Sequence, residues 1–576
     1  MAIDANLISY LLPIKKFYTL LKPSRKDVFL LYGYAVFSGL INLSLPLGIQ
    51  SIVGFIMGAQ MSFSLYLLIA LVLLGMFFSG FLQIMQMWLS ESIQQRIFVK
   101  TAFDFADRIP KFKNENLLKK YLPEVVNKFF DSVAIQKGIN KILIDFTSAI
   151  FQVFFGLLLL SFYHPFFVFF GLFLVLFLVV LIRITFPAGL KTSIQESNMK
   201  YKVVFWLEEI ARNQKLFKIN KQGNLPIKKT DYVVSKWIGE RKEHFKVLVQ
   251  QYWFLVGFKL LVTGGLLIIG TNLIFTEQIN IGQFIASEII IILVINAVEK
   301  LIMSLEAIYD VATSAEKLDQ ALSIETDKET GQPIDIKNNK IDISIQNLSV
   351  KSKLYNVNIL ENIDLDIQSG ERICIAGKGG SGKTTLATVI TGLINEYDGN
   401  ILYNNVPLNK IQLKDFYQYV SADFNNNNIF HGTIIENLTL GSENISKQEI
   451  KDALEKCNLS TFVNNLPEGI DTILYPNDEL LSSSVIKKME VARNLLLKPA
   501  IMIVEDFEGS LSKSDETKLM DLLLDKSNHW TLIFISNKIE FAKKCQRLIF
   551  MDKGKILLDN NYEQIKNNAE IIENLI

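Results

Sequence analysis

The chain has 576 residues, of which 50% are hydrophobic and 20% charged, with a net charge of +1. That length exceeds one ordinary domain, and the charge balance excludes a nucleic-acid-binding surface as its main business. Cys374, Cys457 and Cys545 lack metal-ligand spacing and the four histidines are scattered, which excludes a disulfide framework and a thiol or imidazole metal centre.

Residues 1–26 read as a cytoplasmic or interfacial segment. The opening MAIDANLISYLLPIKKFYTL lacks the basic start, apolar core and cleavage site of a signal peptide and predicts a short amphipathic stretch at a membrane surface. Six apolar runs follow, each near the ~20 residues a helix needs to cross the hydrocarbon. They cover 28–57, 64–88, 141–162, 166–184, 252–274 and 281–303. Pro46 is expected to kink the first, and His164-Pro165 to form the tight turn between the third and fourth.

The connections GAQMSF, FYHP and FTEQIN carry no Lys or Arg. The opposite side holds Lys15, Lys16, Lys22, Arg25, Lys26 and the basic stretches 108–120 and 221–241. The positive-inside bias places that side, and both termini, in the cytoplasm. The two long polar stretches have helical patterning and predict helices continuing out of the membrane. Asp145 falls near the cytoplasmic end of its span. Within the last span Glu299 also falls near the cytoplasmic end. Glu288 is deeper and is a candidate for facing a substrate path.

The bundle is assigned to 27–310 and a polar linker to 311–339. A second domain, 340–576, opens with strand-like runs such as IDISIQNLSV and ERICIAG. Its residues 377–385 read GKGGSGKTT between a strand and a helix, the context that a phosphate loop requires. Gly377, Lys378, Gly379, Gly380, Ser381, Gly382, Lys383, Thr384 and Thr385 form the expected ATP site. Glycines let backbone amides converge on phosphate oxygens, and the helix N-terminus adds its dipole. Lys383 is expected to neutralise the outer phosphates, and Thr384 to ligate Mg2+. The later strand AIMIVED, 500–506, supplies two carboxylates: Glu505, reaching Mg2+ through water, and Asp506, polarising an attacking water. The catalytic set is therefore Asp506, Glu505 and Lys383. The predicted fold class is a six-helix transmembrane bundle fused to an α/β P-loop cassette.

Taken together, these features resemble the ATP-binding cassette exporter family over essentially the whole chain. GQFIASEIIIILVI in the last span is similar to type I secretion and peptide exporters. The membrane region begins almost at once, so that subfamily's N-terminal peptidase-like domain is not expected. The resemblance implies a half-transporter in a bacterial plasma membrane, working as a homodimer or as a heterodimer with a second half-transporter. Coupling helices are then expected near 110–120 and 208–222. Each ATP would lie between one phosphate loop and the partner's signature motif, where Ser482 belongs.

Several motif positions depart from the family. VSADFNNNNIFHGTIIENL keeps Phe430, Gly432, Thr433 and Asn437 but has Ala422 at the glutamine position. LSSSVIKKMEVARNLLLKP keeps Leu481, Ser482, Ala492 and Arg493, with Ser483, Ser484 and Val485 in place of two glycines and a glutamine. Bare backbone matters there because it approaches the opposing phosphate closely. The Asp-Glu pair is reversed as Glu505-Asp506. Ser512 replaces the aspartate of the dimer-contacting loop, and Asn537 the switch histidine. Ser352, with Tyr355 nearby, falls at the adenine-stacking position. The resemblance thus implies an exporter with slow hydrolysis, or a nucleotide-responsive regulatory or assembly subunit with little turnover. Lipid, peptide and hydrophobic small-molecule cargo all fit the apolar spans.

Overall fold

The computed structural model describes residues 15–19, 21–58, 63–117, 120–220, 223–327, 330–334, 336, 340–353, 355–424, 429–476, 481–505, 511–566 and 575. It divides into two compact units, Met1–Pro110 with Lys120–Ile324, and Lys111–Lys119 with Glu325–Ile576.

The first unit is helical. Its elements are α1 (Arg25–Ile41), α2 (Ser44–Met57), α3 (Phe63–Arg108), then α5 (Leu122–Asn127), α6 (Asp131–Asn140), α7 (Thr147–Ser161), α8 (Pro165–Arg212), α9 (Gln214–Ile219), α10 (Leu225–Phe275) and α11 (Ile281–Leu322); α4 (Asn114–Leu117) belongs to the second unit. Among the described residues, six of its helical stretches are long and apolar enough to cross a membrane. Many of their large apolar side chains are exposed, Phe77 and Phe169 among them. Such a surface calls for lipid or a protein partner against it.

The first span breaks at Asn42–Leu43. Pro46 explains this: it has no amide proton, and its ring excludes the carbonyl four residues back. His164 caps α8, its Nδ1 accepting from the Phe166 amide at 3.2 Å, with Pro165 at the first helical position. Asn280 and Gln283 form a reciprocal capping box that starts α11. At about 1.5 Å per residue, the 48 residues of α8 and 51 of α10 are more than twice the length that hydrocarbon requires. Helix α11 continues to Leu322, so 311–322, expected in the linker, is helical. Glu299 pairs with Lys259 at 2.7 Å.

The second unit contains two main sheets. One is antiparallel, in the order β2–β1–β4–β5: Asn358–Ile367, Ile343–Lys351, Asp398–Tyr403 and Val406–Pro407. The other has the order β12–β11–β3–β10–β9–β6: Lys555–Asn560, Arg547–Asp552, Arg372–Gly377, Thr531–Ile535, Ile501–Glu505 and Val420–Asp423. Its strands are parallel except for the antiparallel edge β12. A small pair, β7 (Gly432–Thr433) and β8 (Ile473–Leu474), lies apart. The helices that matter for the site are α12 (Lys383–Ile390), α13 (Ser483–Leu497) and α14 (Lys513–Leu524). All six residues of β3 are buried, as a central parallel strand covered on both faces requires.

Residues 111–119 are built into this second unit. Lys111 O accepts from the Asp327 amide, and Lys113 pairs with Glu325 at 3.0 Å. On α4, Glu115 Oε1 accepts from the backbone amides of Asn395 (2.6 Å) and Glu396 (3.2 Å), and Asn114 donates to Leu393 O. The segment expected near 110–120 is thus a short helix anchored to cassette backbone. The segment expected near 208–222 contains α9; residues 221 and 222 lie outside the described residues.

Candidate functional site

The parallel strands converge at their C-terminal ends, the usual place for a ligand in such a sheet. There β3 ends and the loop 377–382 turns into α12. Two glycines are needed for the turn itself. Gly377 has φ +150, and a Cβ on it would lie 2.1 Å from Met551 O; Gly382 has φ +98, with Leu360 Cδ2 at 2.7 Å from a Cβ. Lys383 folds back over the loop, its Nζ donating to Gly377 O at 2.6 Å and Lys378 O at 3.0 Å. Ser381 Oγ is buried with no hydrogen-bond partner among the described residues.

The β3–β10–β9 order carries Glu505 to the same end of the sheet, where Thr384 Oγ1 donates to Glu505 Oε1 at 2.8 Å. A hydroxyl and a carboxylate so placed match the hard-oxygen preference of Mg2+, which keeps several waters and takes few protein ligands. The glycine cradle, the lysine, the orphaned Ser381 hydroxyl and this oxygen pair together fit a magnesium-bound nucleoside triphosphate. Asn537, just beyond β10, accepts from the Gly377 amide through Oδ1 at 3.0 Å. Asp506 lies outside the described residues.

A cavity of about 830 Å3 opens beside α12, lined by Thr385, Thr388, Ile359, Ser352 and Asp398. Ser352 is therefore at the cavity, while Tyr355 on the same turn is 79% exposed.

The structure brings together Gly377 to Thr385 and Glu505. It places Ser482 elsewhere, at the N-cap of α13, where its Oγ accepts from the Val485 amide at 3.3 Å. Ser483 and Ser484 form the first turn of α13, with Ser483 exposed. Ala422 sits in β6 opposite Ile503 of β9. Ser512 caps α14, accepting from the Asp515 amide at 3.1 Å. In the first unit, Glu288 is half-buried.

Sequence reasoning missed the charged residues that fasten α13. Lys487 Nζ lies 2.7 Å from Asp423 Oδ2 with both side chains about 95% buried, and Glu490 stands one turn on at 3.8 Å. Ser421, two residues before Asp423, donates to Asn494. Lys488 pairs with Asp515 at 3.0 Å. The only local signal was a charged KKME run in the middle of an otherwise apolar helix face.

Residues 360–506 match the family model described as ABC transporter. The chain is 26% identical over 310 residues to the transport/processing ATP-binding protein ComA of Streptococcus pneumoniae, covering 53% of this chain and 42% of that protein. It is 26% identical over 344 residues to the pediocin PA-1 transport/processing ATP-binding protein PedD of Pediococcus acidilactici, 59% of this chain and 47% of that one. It is 26% identical over 208 residues to an ATP-dependent lipid A-core flippase of Francisella tularensis, 36% and 34% respectively. The match thus spans less than half the length of each of these relatives. A solved bacterial Atm1-family ABC exporter with ATP bound superimposes with a TM-score of 0.83 at 15% identity, over 95% of this chain and 97% of that chain.

Proposed function

We propose that this chain, an integral membrane protein with the fold of an ATP-binding cassette exporter, is one half of a dimeric transporter that binds ATP and hydrolyses it slowly. The observation that carries the reading is the Thr384–Glu505 hydrogen bond set against the glycine loop and Lys383. When bound, ATP with Mg2+ supplies the phosphoryl group whose transfer drives the cycle. The loop amides hold phosphate oxygens and Lys383 neutralises them. With Mg2+ bound, Thr384 would ligate it and Glu505 would reach it through water, and Asp506 would orient the attacking water. Asp506 is one methylene shorter than glutamate, and small misplacements of a positioning group are costly.

Slow turnover follows from where the unusual residues fall. Ala422, Glu505, Asp506 and Asn537 act on the site built on this chain's own loop. Ser483, Ser484 and Val485 act on the site built on its partner's loop. In a homodimer both sites are weak; in a heterodimer the defects divide between them. The names of the matched relatives, a pediocin transporter and a lipid A-core flippase, support an outward-moved peptide, lipid or hydrophobic cargo.

A second reading, a nucleotide-responsive regulatory or assembly subunit, is favoured by the side chains on the first turn of α13. Steady-state ATPase activity of the purified chain in lipid, with Lys383→Ala as control, decides between them. Magnesium-dependent turnover above the control is expected. Turnover equal to the control, with ATP still bound, would replace the transporter reading by the regulatory one.

A further inference from the structure

The first unit contains a chamber of about 790 Å3 between the start of the third span, α10 and α11. Its depth follows from helix lengths. Lys141 lies twenty residues from the outer end of α7 at Ser161, Trp253 twenty-two from the end of α10 at Phe275, and Lys300 nineteen from the start of α11 at Ile281. At ~1.5 Å per residue each distance is about 30 Å, the thickness of the hydrocarbon. The chamber therefore sits at the cytoplasmic headgroup plane, where tyrosine and tryptophan rings with a polar tip are favoured, and Tyr252 and Trp253 are among its walls.

Its charges are of both signs, and four of the five stand free. Lys141, Lys300, Asp145 and Glu306 all line it. Among the described residues none of the four makes an ion pair or a hydrogen bond. Arg241 also lines it, but is tied to Glu196 at 3.2 Å. Lys141 and Asp145 belong to a π-helical turn, Lys141–Phe146, and both are exposed. Such turns cost helix geometry and often mark functional positions. Unpaired charges of both signs facing one cavity beside the hydrocarbon are a candidate ligand path.

We propose that this chamber binds the headgroup of a zwitterionic phospholipid entering from the cytoplasmic leaflet. Asp145 and Glu306 meet its ammonium group, Lys141 and Lys300 its phosphate, and the chain lies along Tyr252 and Trp253. Two free cations and two free carboxylates match a head that carries one charge of each sign; an anionic head would leave both carboxylates facing it. The proposal names a cargo class for the transporter reading and rests on it.

The test uses the full-length chain in detergent, followed by native mass spectrometry. The probes are an ethanolamine-headed phospholipid, a glycerol-headed one of equal chain length, and a short amphipathic peptide bearing one lysine and one aspartate. The ethanolamine lipid is expected to be retained at least tenfold more tightly than the glycerol lipid. That preference is expected to vanish in the pair Asp145→Asn with Glu306→Gln. In Lys141→Gln with Lys300→Gln, retention of both lipids is expected to fall at least tenfold. Equal retention of the two lipids, no change in either double variant, or displacement of lipid by the peptide overturns the proposal. Binding of a fluorescent ATP analogue, measured in the same samples, reports the cassette separately. Variants that keep it are folded, and its absence from the unmodified chain would overturn the ATP-binding reading while the lipid comparison still stands on its own.

Discussion

A single carboxylate links the signature segment, the loop at Ser512 and Asn458. Asp515 accepts from Asn458 Nδ2 at 3.0 Å and from Ser512 Oγ at 2.9 Å, and pairs with Lys488 at 3.0 Å. The Asn458 hydrogen bond, then Lys488 and Ser512, hold it at about 2, against an ordinary aspartate near 3.8. A depressed folded-state value means that its stabilising effect is complete above the unfolded value and is lost as pH falls through the folded one. The difference in unfolding free energy between the unmodified chain and Asp515→Asn is therefore expected to be constant above about pH 5 and to shrink between about pH 4 and pH 2. Denaturant titrations across that range measure it. A difference independent of pH would show that the carboxylate's charge contributes nothing. Ser512, read from sequence as a lost dimer contact, thus also has a local task as the cap of α14.

The same contrast holds for whole elements. The phosphate loop was legible because its residues are contiguous and each answers a local need: glycine at positive φ, a strand before and a helix after. The broken first span and the capped turn at His164 were legible for the same reason, as proline and a helix start act over four residues. The fastening of α13 was not legible. Asp423 and Lys487 are 64 residues apart, and neither announces its partner; only the sheet order, which puts β6 beside β9, brings strand and helix together. Removing one member of a buried pair strands the other charge, typically at a cost of about 3–5 kcal/mol, whereas replacing both by apolar residues is far cheaper. Lys487→Met is expected to lower the unfolding midpoint of the cassette sharply, and Lys487→Met with Asp423→Leu to recover part of the loss, the buried Glu490 keeping its charge. Differential scanning fluorimetry of the solubilised chain checks this. A double variant no better than the single would mean that the pair's geometry, rather than the stranded carboxylate, dominates.

Across the whole molecule, the division that sequence suggested at the 311–339 linker is crossed by a short piece of chain. Residues 111–119 follow the second span in sequence, yet they belong to the unit formed mainly by 325–576. Glu115 is the acceptor for two backbone amides some 280 positions later. Glu115→Ala removes the charged acceptor of two hydrogen bonds, from the half-buried Asn395 and the exposed Glu396, a loss of at most about 1.5–3 kcal/mol. Hydrogen exchange at Asn395 and Glu396 is expected to quicken at least tenfold; unchanged exchange would show that water replaces the carboxylate at no cost. The arrangement also sets an order of manufacture. A ribosome delivers 111–119 hundreds of residues before the strands that receive them, so the nascent chain must keep this piece accessible in the cytoplasm while four more spans are inserted. Completion of the cassette is then a record that the later spans were inserted: a chain with an odd number of spans between the two pieces would present residues 111–119 on one side of the bilayer and the rest of the cassette on the other, and the cassette would stay incomplete.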